Sequence, residues 1–255
     1  MEAIRTIAGD SKISRIGIIQ GLTEGTLQTF VFLWSPSLLA FSKYAIQGTM
    51  GLDKNGEPAY GIIFGGFMMC GVMGGLLEPV VRKSVAQLVA VSKRSGKTRQ
   101  EGVQENDINP TAVSCLCALC YMASALLLLA PCQVKEGSTY AFSICSIAFL
   151  LYELMVGLYL PCEAVLRSIY MPNSSMCSIM TMLRVIVNVA VALGVISTNY
   201  VSINGAFYAL STMMAIAALL QMSLISEINW MYIARNFGGV LKRSRVSVDS
   251  ERKTR

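Results

Sequence analysis

Three ionisable side chains, Glu24, Glu153 and Arg184, stand inside otherwise apolar stretches. An Arg, Lys or Asp at the centre of a bilayer costs roughly 2.5–3.5 kcal/mol on the insertion scale. Such groups therefore face a bundle interior, pair with one another, or meet water. A guanidinium stays charged in a low dielectric and presents several donors, which suits an oxyanion. Arg184 reads either as an anion-binding cation in a central cavity or as one arm of a buried ion pair with Glu24 or Glu153. The two carboxyls read equally as proton carriers or as groups that orient Arg184.

Spacing adds neighbours. Gln20, Glu24 and Gln28 recur every four residues and share one helix face. Arg184 and Asn188 share another, and Glu153 shares a third with Gly157. Arg184, Asn188 and Gln28 are the candidate substrate-binding residues; Glu24 and Glu153 are the candidate coupling or ion-pair residues. Gly17, Gly21 and Gly25 repeat at the same interval, as do Gly71 and Gly75, a small-residue pattern that permits close helix contact. Glu163 and Arg167 lie one turn apart, where a local i,i+4 pair is the plain reading. Glu78, beside Arg82 and Lys83, reads as part of a charge cluster at a membrane face.

Other chemistry is excluded by composition. The chain has no His, which removes His bases, His relays and His metal sites. Of its 8 Cys, Cys115, Cys117 and Cys120 are closely spaced, but they open a charge-free apolar run without a fourth ligand nearby. Packing is the better reading than zinc. No cofactor motif and no paired catalytic motif is found, so neither a cofactor nor an enzyme is expected.

The elements that must position these residues are membrane helices. Of 255 residues 54% are hydrophobic and only 14% charged, with a mean hydropathy of +0.55. An ordinary soluble domain has roughly 25% charged residues. A spanning helix needs about 20 apolar residues, and six stretches qualify: 16–36, 59–79, 111–131, 140–162, 176–198 and 203–225. Pro79, Pro131 and Pro161 fall at span ends, where a missing N–H costs least. The cluster from Ser197 to Gly205 breaks the last charge-free run into two helices. Spans three and six carry no charge and are expected to face lipid. Trp34, Tyr44 and Trp230 near span ends fit an interfacial belt. Glu24, Glu153 and Arg184 each lie nine or ten residues from the same membrane face, about 13–15 Å deep.

The net charge is +6. In this context it reflects topology rather than nucleic-acid binding. Seventeen of the 21 Lys and Arg flank one side, in the segment before span one, the 82–109 loop, Arg167 and the tail; Lys43, Lys54 and Lys135 flank the other. Both termini are thus expected in the cytoplasm. The organisation expected is a linker-like stretch over 1–13, a bundle over 14–228 with a cytoplasmic loop at about 82–109, and a basic tail over 229–255. The start lacks the features of a cleaved signal peptide.

Four strings resemble a known family. GIIQGLTEGTLQTFVFLWSPSL (Gly17 to Leu38), YGIIFGGFMMCGVMGG (Tyr60 to Gly75), LLYELMVGLYLPCEAVLR (Leu150 to Arg167) and LRVIVNVAVALGV (Leu183 to Val195) are similar to the seventh, eighth, tenth and eleventh helices of molybdate-anion transporters. Those are members of the major facilitator superfamily. The resemblance covers about residues 13–226 and implies an all-α, six-helix half-bundle, the carboxyl half of a twelve-helix carrier. It further implies transport of an inorganic, molybdate-like anion by alternating access, with substrate held between two halves. Glu24, Glu153 and Arg184 fall on the matching strings. The expected partners are that anion, the lipid bilayer (the plasma membrane is the expected location) and either a missing amino half or a second copy. The alternative reading is a non-transporting scaffold, or a half-transporter acting through a partner chain.

Overall fold

A computed structural model describes residues 11–94, 110–135, 137–171, 176–197 and 201–225. The first ten residues, most of the 82–109 loop, the Thr198–Tyr200 part of the expected turn, and the tail with Trp230 lie outside them. Among the described residues the regular structure is all helical, joined by turns, with one isolated β-bridge between Leu52 and Pro58. The helices are α1 Ser11–Ser42, α2 Tyr60–Arg94, α3 Pro110–Leu128, the short α4 Ala130–Gln133, α5 Ala141–Tyr170, α6 Met176–Ser197 and α7 Ile203–Ser223. Four segments are long and apolar enough to cross a membrane: Tyr60–Ala90, Pro110–Gln133, Ala141–Tyr170 and Ile203–Ser223. The described residues are therefore all-α with four candidate spans. α1 carries Lys12, Arg15 and Glu24 among many hydroxyl and amide side chains, which dilutes its apolar character.

α5 is the hub. It packs on α2, α3 and α1; α3 packs in turn on α7, and α1 packs on α7 and α6. The closest approach is between α2 and α5, and glycine permits it. A Cβ added at Gly74 would collide with the Leu154 carbonyl and lie 2.9 Å from Gly157 Cα. One added at Gly157 would collide with the Gly71 carbonyl oxygen. Only glycine lets two backbones meet this way. The α1 stripe acts more gently: Gly21 abuts Val187 of α6, and Gly25 abuts Met213 of α7.

Above the glycine crossing lies an aromatic core. Phe30 of α1 has ring neighbours Tyr152 at 4.7 Å, Phe149 at 5.1 Å and Phe67 at 6.1 Å. Phe149 stacks on Phe207 of α7 at 5.5 Å. Trp34 joins this core, edge-on to Phe67 and Tyr60. It is buried, so it does not serve the interfacial belt; Tyr44, 55% exposed, still can.

Two further expectations are corrected. The third span does not face lipid: 67% of its apolar window is buried, against 17% for α2. Its Ala, Ser and Cys residues, such as Ala112, Ser114, Cys117 and Ala125, are small and fit between helices. Lack of charge signalled tight packing there, not lipid. α7 is more mixed, with Tyr208 and Leu219 outward and Phe207 and Met214 buried. The prolines also sit differently. α2 and α5 run well past the expected span ends, so Pro79 and Pro161 lie inside helices, as does Pro36 of α1. Each removes one i→i−4 hydrogen bond. For Pro79 and Pro161 the carbonyls left without that donor belong to Gly75 and Gly157.

The connection from α1 to α2 is held by its own hydrogen bonds. Asp53 Oδ1 accepts from the N–H groups of Asn55 and Glu57 at 2.8 and 2.9 Å. Gly51, at φ +94°, makes a turn that side chains resist and places its carbonyl to accept from Ala59 N–H at 2.8 Å.

The glycine contact is directly testable. Gly157→Ala should cost about 1–3 kcal/mol, the usual range for overpacking, read as a lower midpoint of thermal unfolding in detergent. Gly65→Ala, where an added Cβ meets open space, should leave the midpoint unchanged or raise it.

Candidate functional site

The candidate substrate residues lie on open helix faces. On α6, Arg184 and Asn188 are exposed, while Val187 between them in sequence is buried against Gly21 of α1. On α1, Gln28 is exposed and Glu24 half-buried. Because α1 and α6 pack together, all four belong to one pair of neighbouring helices. An exposed guanidinium inside an apolar segment demands water or a polar partner. The α6 face with Arg184 is thus unsuited to lipid.

Glu153 is placed apart. It is buried on α5, at the level where that helix crosses Gly71 of α2. Among the described residues it has no hydrogen bond and no ion pair, and Arg184 pairs with neither Glu153 nor Glu24. Glu153 thus stands on a different pair of packed helices from Arg184. α6 packs on α1, while the Glu153 level of α5 faces α2. Two cavities among the described residues lie away from these side chains. One, of about 350 Å³, sits where α1 ends and α7 begins, beside Lys43, Tyr44 and Asn204. The other lies around Gln20, Glu163 and Gln221.

The best-connected polar group is Glu163, which spacing marked only as a local pair. That pair exists, with Arg167 Nη1 3.5 Å from Oε2. Yet Glu163 is also buried, and its Oε1 accepts from Tyr121 Oη of α3 at 2.8 Å and Thr23 Oγ1 of α1 at 2.9 Å. Three helices converge on one carboxylate. A second buried carboxylate, Glu78, holds Arg82 at 2.8 Å and accepts from the Cys162 thiol at 3.3 Å. The expected Glu78–Arg82 association is therefore present, with Glu78 buried rather than on an open face. Among the described residues no group of His, Cys, Asp and Glu is arranged to hold a metal ion. Cys115, Cys117 and Cys120 are buried as packing residues.

Comparison with known proteins places the chain in a family. Residues 1–149 match MFS_5, described as sugar transporters with 12 TM. A molybdate-anion transporter of Takifugu rubripes is 26% identical over 201 residues, which cover 78% of this chain and 33% of that protein. One of Xenopus laevis is 27% identical over 196 residues, covering 76% and 35%. One of Danio rerio is 24% identical over 202 residues, covering 78% and 34%. The chain spans about a third of the length of the curated relatives it matches. No solved structure matches it. With more than half its length on the family pattern, an all-helical build and at least four stretches able to cross a bilayer, the chain belongs to the MFS_5 family of membrane transporters.

Proposed function

We propose that the complete protein carries an inorganic oxyanion of the molybdate class across a membrane by alternating access, with this chain supplying the carboxyl-terminal six helices. The observation that carries the reading is the exposed Arg184–Asn188 face of α6 beside Gln28 of α1. A cation and two amides on an open face form half of an anion site. A second half, from the amino-terminal helices or a second copy, would complete it. The names of the relatives support the choice of anion. The family description names sugars instead, and Gln28 and Asn188 alone would suit sugar hydroxyls. Arg184 favours the anion, because a neutral sugar would give its guanidinium no counter-charge. Glu24 and Glu153, both without an ion pair among the described residues, are assigned to coupling: they accept and release a proton as the site changes sides. α1 and α6 complete the six spans. The basic residues keep both termini cytoplasmic, and the plasma membrane is the assigned location. We read the protein as a carrier and not an enzyme.

Uptake of labelled molybdate by the complete protein in proteoliposomes tests the assignment. Arg184→Ala should lower uptake about tenfold or more, as expected for losing charge-assisted hydrogen bonds worth roughly 1.5–3 kcal/mol. Arg184→Lys should recover only part of the rate, since a point charge replaces a planar fork. Undiminished uptake in Arg184→Ala would remove the anion role.

Competition separates the substrate classes. Excess tungstate, another tetrahedral dianion, should suppress molybdate uptake, and excess hexose should not. Suppression by hexose would favour the sugar reading.

A further inference from the structure

The Glu163 network has an unfinished side. Next to it, where α1, α3, α5 and α7 meet, lies a cavity lined by Gln20, Tyr121, Glu163, Arg167 and Gln221 together with aliphatic side chains. The centre of a water-sized sphere has about 10 Å³ to occupy there, close to the space that one water needs. Two polar atoms of the lining are buried without a partner among the described residues: Gln20 Oε1 and Gln221 Nε2. Gln20 is 7% exposed and Gln221 1%. One orphan can only accept and the other can only donate.

We infer that this cavity holds a single water molecule that donates to Gln20 Oε1 and accepts from Gln221 Nε2. The lining selects for a neutral occupant. Arg167 and the Gln221 amide disfavour a cation, and Glu163 disfavours an anion. Water also donates and accepts at once, which the two orphans require. A second donated bond is available to Glu163 Oε2, whose contact with Arg167 is long at 3.5 Å. With the water in place, Thr23, Tyr121, Glu163, Arg167, Gln20 and Gln221 form one connected network. It ties α1, α3, α5 and α7 at the end of the bundle where α1 begins, close to the bond from Arg15 Nη1 to Ser223 Oγ at 3.2 Å. Those four helices are then held to one another at this level. The inference rests on the cavity alone and stands whatever the carried substrate is.

X-ray hydroxyl-radical footprinting of the full chain in nanodiscs tests it, because radicals form from bound water inside the protein. Tyr121 is fully buried, as are Phe30 and Phe149 in the aromatic core. Tyr121 should be oxidised within milliseconds, and Phe30 and Phe149 should stay unmodified. In the Gln20→Leu, Gln221→Leu double variant, where two side chains no longer hold the water, Tyr121 labelling should fall to the level of Phe30. Thermal unfolding of the two single variants and the double should be non-additive, the double losing less than the singles together. The inference is overturned if Tyr121 in the parent is labelled no more than Phe30, a comparison that needs no variant to fold. It is equally overturned if the double variant keeps the parent's labelling.

Discussion

Everything in this bundle is placed by the backbone contact between α2 and α5. The Gly71–Gly74 stretch lets α5 come within van der Waals reach of α2, and α5 is the helix from which the interior is built. Tyr152 and Phe149 on α5 meet Phe30 of α1, and Phe149 reaches Phe207 of α7. Glu163, three turns further on, meets Thr23 and Tyr121. In a bilayer the hydrophobic effect does not drive helices together, so close van der Waals packing and interhelical hydrogen bonds must do so. The glycine crossing supplies the first, and Glu163 supplies the second.

The polar side chains divide by how they are satisfied. Glu163 and Glu78 are buried and each has at least two partners. Their cost of desolvation is offset locally, and they hold the bundle in shape. Arg184, Asn188 and Gln28 are exposed, on helices whose neighbours are apolar. Glu153 is buried without such partners. The first group belongs to the architecture. The second has no ion pair among the described residues, which fits the proposed role of binding and release.

What could be read from the sequence followed from local spacing. Glycine repeats pointed correctly to close helix contacts, and the Arg184–Asn188 face is a true face of α6. What could not be read depended on residues far apart in the chain. Thr23 lies 140 residues from Glu163 and Tyr121 lies 42 away, so only the i,i+4 partner was visible. Pairing Arg184 with the two carboxyls rested on equal depth. Depth fixes a level in the membrane but not an azimuth around a helix, and α5 turns its Glu153 level toward α2. Absence of charge does not by itself separate a lipid-facing helix from a tightly packed one, and α3 is of the second kind. Its Cys, Ser and Ala content marked burial more faithfully. Trp34 followed a rule about span ends, but α1 continues to Ser42, which moved it inside.

The two interior prolines have one more effect. Pro79 and Pro161 deprive Gly75 and Gly157 of their usual donors, and the Gly157 carbonyl oxygen lies 3.8 Å from where a Cβ on Gly75 would be. Both helices are therefore least stiff at one shared height, on the two sides of the same seam. A flexure of either would be matched by its neighbour at that height, so the pair can bow as a laminate without opening a gap between its layers.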